Sequence, residues 1–126
     1  MKKIINTSNA PAPIGPYNQA VLSGDTLYIS GQIPLDPKTG ELIAGDIKKE
    51  ARQSMENLKA ILTEADMTFE NVVKSSIFLS DMNQFAHVNE VYASYFNSET
   101  APARETVEVA NLPKFVNVEI SMIAVR

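Results

Sequence analysis

The sequence predicts an α+β fold, a β-sheet with two α-helices on one face. Two observations lead there. Two segments each carry one apolar stripe at steps of three and four residues, the mark of a helix buried on one side. Five others are short, alternate or are rich in β-branched residues, and are bounded by Gly, Pro, Asn or Asp. The coarse order, strands, helix, strand, helix, strand, strand, suits one sheet with its helices gathered on one side.

Each element follows from its residues. Ala10-Pro11-Ala12-Pro13-Ile14-Gly15-Pro16 holds three prolines that fix φ and lack a donor, so it reads as an extended loop leading into Tyr17. Asn18–Leu22 and Thr26–Gln32 form a hairpin about Ser23-Gly24-Asp25. In its second strand Leu27, Ile29 and Gly31 are expected on one face, and Tyr28, Ser30 and Gln32 on the other. Pro34, Asp36-Pro37 and Thr39-Gly40 mark a surface loop.

Asp46 is a candidate N-cap for a helix running to about Ala65. Its stripe is Ile47, Ala51, Met55, Leu58, Ile61, Leu62 and Ala65, with Lys48, Glu50, Arg52, Glu56 and Lys59 outside it. Val72–Ser80 reads as a strand. A second helix is expected after Asp81, to about Phe96, burying Phe85, Val88, Val91, Tyr92, Tyr95 and Phe96. Thr100-Ala101-Pro102-Ala103 ends it. Arg104–Val109 and Asn117–Val125 complete the strands, with a turn at Leu112-Pro113-Lys114. The sheet face without helices is expected to carry Ser75, Ser76, Thr106 and Ser121, and to be solvated or covered by another protein chain.

Composition narrows the function. The 126 residues form one expected domain over residues 1–126. The formal net charge of −4 argues against nucleic-acid or anionic-membrane partners. Without cysteine, and with His87 the single histidine, thiolate chemistry and Cys- or multi-His metal sites are excluded. No apolar run reaches a membrane span. The basic start, Met1-Lys2-Lys3-Ile4-Ile5-Asn6, lacks a signal-peptide apolar stretch, so a cytoplasmic location is expected. No phosphate-binding glycine motif and no nucleophile elbow occurs.

Two charged residues invite attention. Arg104 opens a strand and shares a face with Thr106 and Glu108. It is either a bidentate anchor for a small anion or a surface partner of Glu105 or Glu108. Glu119 interrupts the apolar run Val118–Val125. It is either on a solvated face or partly buried, in which case its pKa rises toward acid–base work. Tyr17 and Ser30 offer hydroxyls. His87 reads as a helix-surface residue.

Ile14-Gly15-Pro16-Tyr17 with Gln19-Ala20, Ser30-Gly31-Gln32-Ile33-Pro34, Phe85 through Tyr92, Ala101-Pro102-Ala103-Arg104, Val107-Glu108-Val109-Ala110 and Leu112-Pro113-Lys114 through Ile120 stand in order along the chain. Together they resemble the RidA/YjgF family. The resemblance implies a chorismate-mutase-like mixed sheet and a homotrimer with active-site clefts between subunits. It implies hydrolysis of reactive 2-imino acids or their enamines to 2-oxo acids and ammonia, with no metal or cofactor. Arg104 then matches the carboxylate anchor and Glu119 the residue that orients or activates water. Tyr17, Ser30, Gly31 and Asn89 match pocket positions. After Arg104 many members carry Ser and then Cys; here stand Glu105 and Thr106. Glu105 should point away from Arg104, and Thr106 keeps a backbone able to contact substrate. A non-catalytic trimer that binds 2-oxo acids is the alternative.

Overall fold

The computed structural model describes residues 1–126. Six strands form one sheet: β1 (Lys2–Ile5), β2 (Ala20–Ser23), β3 (Thr26–Gln32), β4 (Val72–Leu79), β5 (Ala103–Glu108) and β6 (Val118–Val125). Their spatial order is β1-β2-β3-β6-β4-β5. Only β4 and β5 run parallel; every other neighbouring pair is antiparallel. Helices α1 (Ile47–Glu64) and α2 (Phe85–Ala93) cover one face, giving the expected α+β architecture.

α1 starts where its cap chemistry requires. The Asp46 carboxylate accepts from the backbone N–H groups of Lys48 at 3.0 Å and Lys49 at 3.3 Å, satisfying donors that have no partner inside the helix. At the far end the Arg126 guanidinium donates to the Ala65 carbonyl at 3.0 Å. The stripe from Ala51 to Ala65 packs on Leu27, Ile29, Val118, Ile120, Met122 and Ala124 of the sheet. Glu50, expected in solvent, is 3% exposed, because its Oε1 accepts from Asn117 Nδ2 at 3.0 Å.

α2 is shorter than its sequence suggested. Asp81 caps a single 3₁₀ turn, Met82–Gln84, and the α-helix proper ends at Ala93. Tyr95 and Phe96 lie beyond it yet still pack, edge-on to Phe69 at 5.2 and 5.3 Å between ring centroids. The N-terminal residues, read above only as a basic start, form edge strand β1, with Ile5 opposite Ala20.

Two irregularities in the ladders move residues to unexpected faces. In β3, Ile29 pairs with Met122 but Gln32 pairs with Ile120. Ser30 and Gly31 thus both stand against Ser121, which is a β-bulge. Beyond it the alternation is reversed: Gln32 is buried and Gly31 is exposed on the uncovered face. In β4 the register shifts between Val72 and Lys74. Ser75 therefore faces the helices, where its Oγ accepts from the Tyr92 hydroxyl at 2.9 Å. Thr106 pairs with Ile77 on that same side. Ser75 and Thr106 thus leave the expected uncovered-face group, whereas Ser76 and Ser121 remain on that face, opposite each other.

The uncovered face is apolar in part, with Tyr28, Val73 and Val107 exposed on it. The proline-rich loop before β2 is held by one buried side chain. Gln19 Oε1 accepts from Thr7 N at 2.7 Å, and Nε2 donates to the carbonyls of Thr7, Ala10 and Pro11 at 2.9, 3.2 and 2.8 Å. Gln19→Leu keeps the volume and removes these bonds. It is expected to cost about 2–3 kcal/mol, read as a lower urea midpoint at unchanged m-value.

Candidate functional site

Glu119 lies on the uncovered face of β6, directly over Gly31. The bulge brings the two together, and glycine is required there by close approach. A Cβ at position 31 would overlap Glu119 Oε1. Glu119 Oε2 is buried without a hydrogen-bond partner. Burial pushes its carboxyl above the usual carboxylate range. A cavity of about 420 Å³ opens here, lined by Ile14, Tyr17, Ser30, Gly31, Lys114 and Glu119.

The walls of this cavity are local consequences of the chain. The loop tied down by Gln19 presents Ile14 and Tyr17, both exposed, and the Ile14 N–H donates to the Tyr17 hydroxyl at 3.3 Å. The Ser30 hydroxyl donates to the Asn18 carbonyl at 2.6 Å, so it braces the same loop. Opposite, the turn after Pro113 takes the left-handed backbone at Lys114 (φ 56°) and Phe115 (φ 54°). Such residues cost on the order of 1–3 kcal/mol each and gather at functional sites. They put Lys114 on the rim.

Arg104 is elsewhere. It pairs across β4–β5 with Ser75, hence on the helix-covered side. Its Nη1 donates to Asn89 Oδ1 at 2.7 Å. Its guanidinium carbon stands 5.0 Å from the Tyr92 ring centroid and 5.5 Å from that of Phe85, within cation–π range. Phe85, Asn89 and Tyr92 are spaced four and three apart, so one face of α2 supplies all three contacts. None of them is an acid. Glu105 points the other way, paired with Lys74 at 2.9 Å and bonded to the Ser76 hydroxyl; these contacts hold its carboxyl below the usual range. Glu108 accepts from the Met82 N–H at 2.7 Å. Arg104 is thus no member of a surface ion pair. Beside it lies a second cavity of about 370 Å³, and the neighbouring Thr106 Oγ1 is buried without a partner.

The sequence-derived residues therefore divide into two groups. Tyr17, Ser30, Gly31 and Glu119 meet on the uncovered face. Arg104, Asn89 and Thr106 belong to the helix side and the open edge strand β5. Within one chain the two groups lie on opposite sides of the sheet, with β4 between β5 and β6. Sequence reasoning missed Phe85 and Tyr92 as supports of Arg104, although their spacing around Asn89 carried the signal. It also missed Lys114. His87 is exposed on α2 and joins neither group. No three His, Asp or Glu side chains cluster to hold a metal ion.

The family model described as Endoribonuclease L-PSP matches residues 7–126. A mouse protein named 2-iminobutanoate/2-iminopropanoate deaminase is 49% identical over 126 residues, covering 100% of this chain and 93% of its own. The chain belongs to the RidA/YjgF family. A Rid-family protein of Yersinia pestis is 47% identical, covers 100% of both chains and superposes with a TM-score of 0.97. Escherichia coli TdcF, solved with bound serine, is 48% identical over 98% of each chain, with a TM-score of 0.92. No helix of this RidA/YjgF member is long and apolar enough to cross a membrane.

The environment of Glu119 has a consequence for stability. Folded Glu119 keeps its proton to higher pH than the unfolded chain does, so stability falls as pH rises through that interval. Glu119→Gln is neutral at every pH and removes this loss. The variant is expected to be at least as stable as wild type at neutral pH, with the difference closing below about pH 4. Urea midpoints measured across that range check it.

Proposed function

We propose that the chain hydrolyses reactive 2-imino acids, such as 2-iminopropanoate and 2-iminobutanoate, to 2-oxo acids and ammonia. The single observation that carries this reading is the state of two charged groups. Arg104 is held by uncharged partners only, and Glu119 is half-buried with an unpartnered oxygen. The first suits an anionic substrate; the second suits proton transfer. The names of the mouse protein and of TdcF with its serine agree with a small carboxylate-bearing substrate.

The opposite placement of the two groups supports a shared site. One copy would bring its open edge strand β5, with Arg104, against the uncovered face of the next, with Glu119, Tyr17 and Gly31. Head-to-tail contacts of this kind close into a ring, here a homotrimer. The exposed apolar side chains of that face are what such a contact would cover.

The chemistry then follows. Arg104 takes the substrate carboxylate through paired charge-assisted hydrogen bonds. The protonated imine carbon, C2, is the electrophile. Glu119, ionised, accepts a proton from water as the water oxygen bonds to C2. The resulting carbinolamine receives that proton on nitrogen. As the C–N bond breaks and ammonia leaves, the hydroxyl oxygen forms the C=O and gives its proton to Glu119, which passes it to the departing ammonia and is ionised again. Tyr17 closes the mouth of the cavity, and the backbone at Gly31 and Thr106 lies in reach of the carboxylate. Imines hydrolyse in water unaided, so positioning supplies much of the acceleration. The net charge of −4 and the lack of a basic aromatic platform speak against RNA as the substrate.

The test generates the imino acid with an amino-acid oxidase and traps what escapes with semicarbazide. Wild type is expected to suppress trapping. Arg104→Ala removes two bonds to a charged group and should lower kcat/KM at least about 100-fold. Glu119→Gln should lower kcat about 10²–10⁴-fold. Light scattering should return three chains per particle. Full trapping in the presence of wild type, with 2-oxo acids still bound, overturns the enzyme in favour of a binding protein. A monomer at micromolar concentration overturns the shared site.

A further inference from the structure

The cavity beside Arg104 is a separate feature from the Glu119 pocket. Its walls are apolar on one side, with Tyr92, Ala93 and Phe96 from the end of α2 and the residues just after it and Ala101 and Pro102 from the segment entering β5, and polar on the other, with Asn89 and Ser98. Arg104 itself forms part of the lining. The guanidinium lies against the Tyr92 ring, and Asn89 occupies one of its donors. Its remaining donors have no acceptor in the chain. A carboxylate bonded there leaves the rest of the molecule next to the apolar walls.

The volume is informative. The cavity measures about 370 Å³, within the range of about 300–1,000 Å³ typical of small-molecule sites. The methyl of 2-iminopropanoate or the ethyl of 2-iminobutanoate would fill a small part of it. Three features match one occupant: a free positive charge at one end, aromatic and aliphatic walls beyond it, and room for several carbons. We infer that this cavity is the side-chain subsite for the acid anchored on Arg104, and that it selects 2-imino and 2-oxo acids with larger apolar side chains, branched aliphatic or aromatic. The inference rests on the anchoring reading of Arg104 given above.

Stable 2-oxo acids are the probes: pyruvate, 2-oxobutanoate, 2-oxopentanoate, 4-methyl-2-oxopentanoate and phenylpyruvate, titrated by calorimetry into the full chain. Burial of each added methylene should tighten binding about fourfold until the cavity is full. Ala93→Leu places a bulkier group at an exposed wall position and should flatten the series, with the greatest loss for the two longest acids. Arg104→Ala should weaken all five. A flat wild-type series together with loss of binding in Arg104→Ala overturns the subsite and leaves the anchor standing. Unchanged binding of all five acids in Arg104→Ala overturns the anchor, and the subsite with it.

Discussion

A residue on a β-strand faces one side of its sheet or the other, and that constraint governs this molecule. Arg104 and Glu119 belong to strands separated by one neighbour, yet the pleat sends them to opposite sides. No side-chain rotation can bring them together. The helices take one face for the core and leave the other bare, so a guanidinium lies beside α2 and a carboxylate lies where no helix covers the sheet. The organisation of the fold is thus also the organisation of its charges.

A single extra residue in β3 adjusts this pattern where it matters. Without the bulge at Ser30 and Gly31, the glycine would face the core and a side chain would stand against Glu119. With it, Gln32 is buried, Gly31 is turned outward, and the carboxylate lies flat on bare backbone. The bulge, the glycine and the burial of Glu119 form one structural unit. Gln19 does comparable work for the loop above it, using four hydrogen bonds to fix the segment that carries Tyr17.

Much of this was legible in the chain. The apolar stripes of α1 and α2 announced their helices, and Asp46 announced where α1 starts; Asp81 caps the 3₁₀ turn that precedes α2. Alternation also placed Arg104 and Thr106 on one face and Glu105 on the other. The bulges were not legible, because nothing in Ser30-Gly31-Gln32 or Val72-Val73-Lys74 states which residue is extra. Ser75, Gln32 and Gly31 were therefore assigned to the wrong faces, as was Thr106, which follows Ile77 to the helix side. Glu50 was misjudged for a different reason: the partner that satisfies it, Asn117, is 67 positions away. Position 89 shows the limit of motif matching. The matched motif marked Asn89 as a pocket residue, and in the structure its amide oxygen accepts from Arg104.

The neutrality of the groups around Arg104 has an effect beyond the proposed reaction. A guanidinium paired with an acid is already satisfied. This one, held by an amide and two aromatic faces, keeps its full attraction for any small anion. Phosphate and sulfate have the geometry to occupy it in place of a carboxylate. An organic acid proposed to bind here therefore competes with the inorganic ions of the solution for one guanidinium, and its measured affinity depends on the buffer chosen.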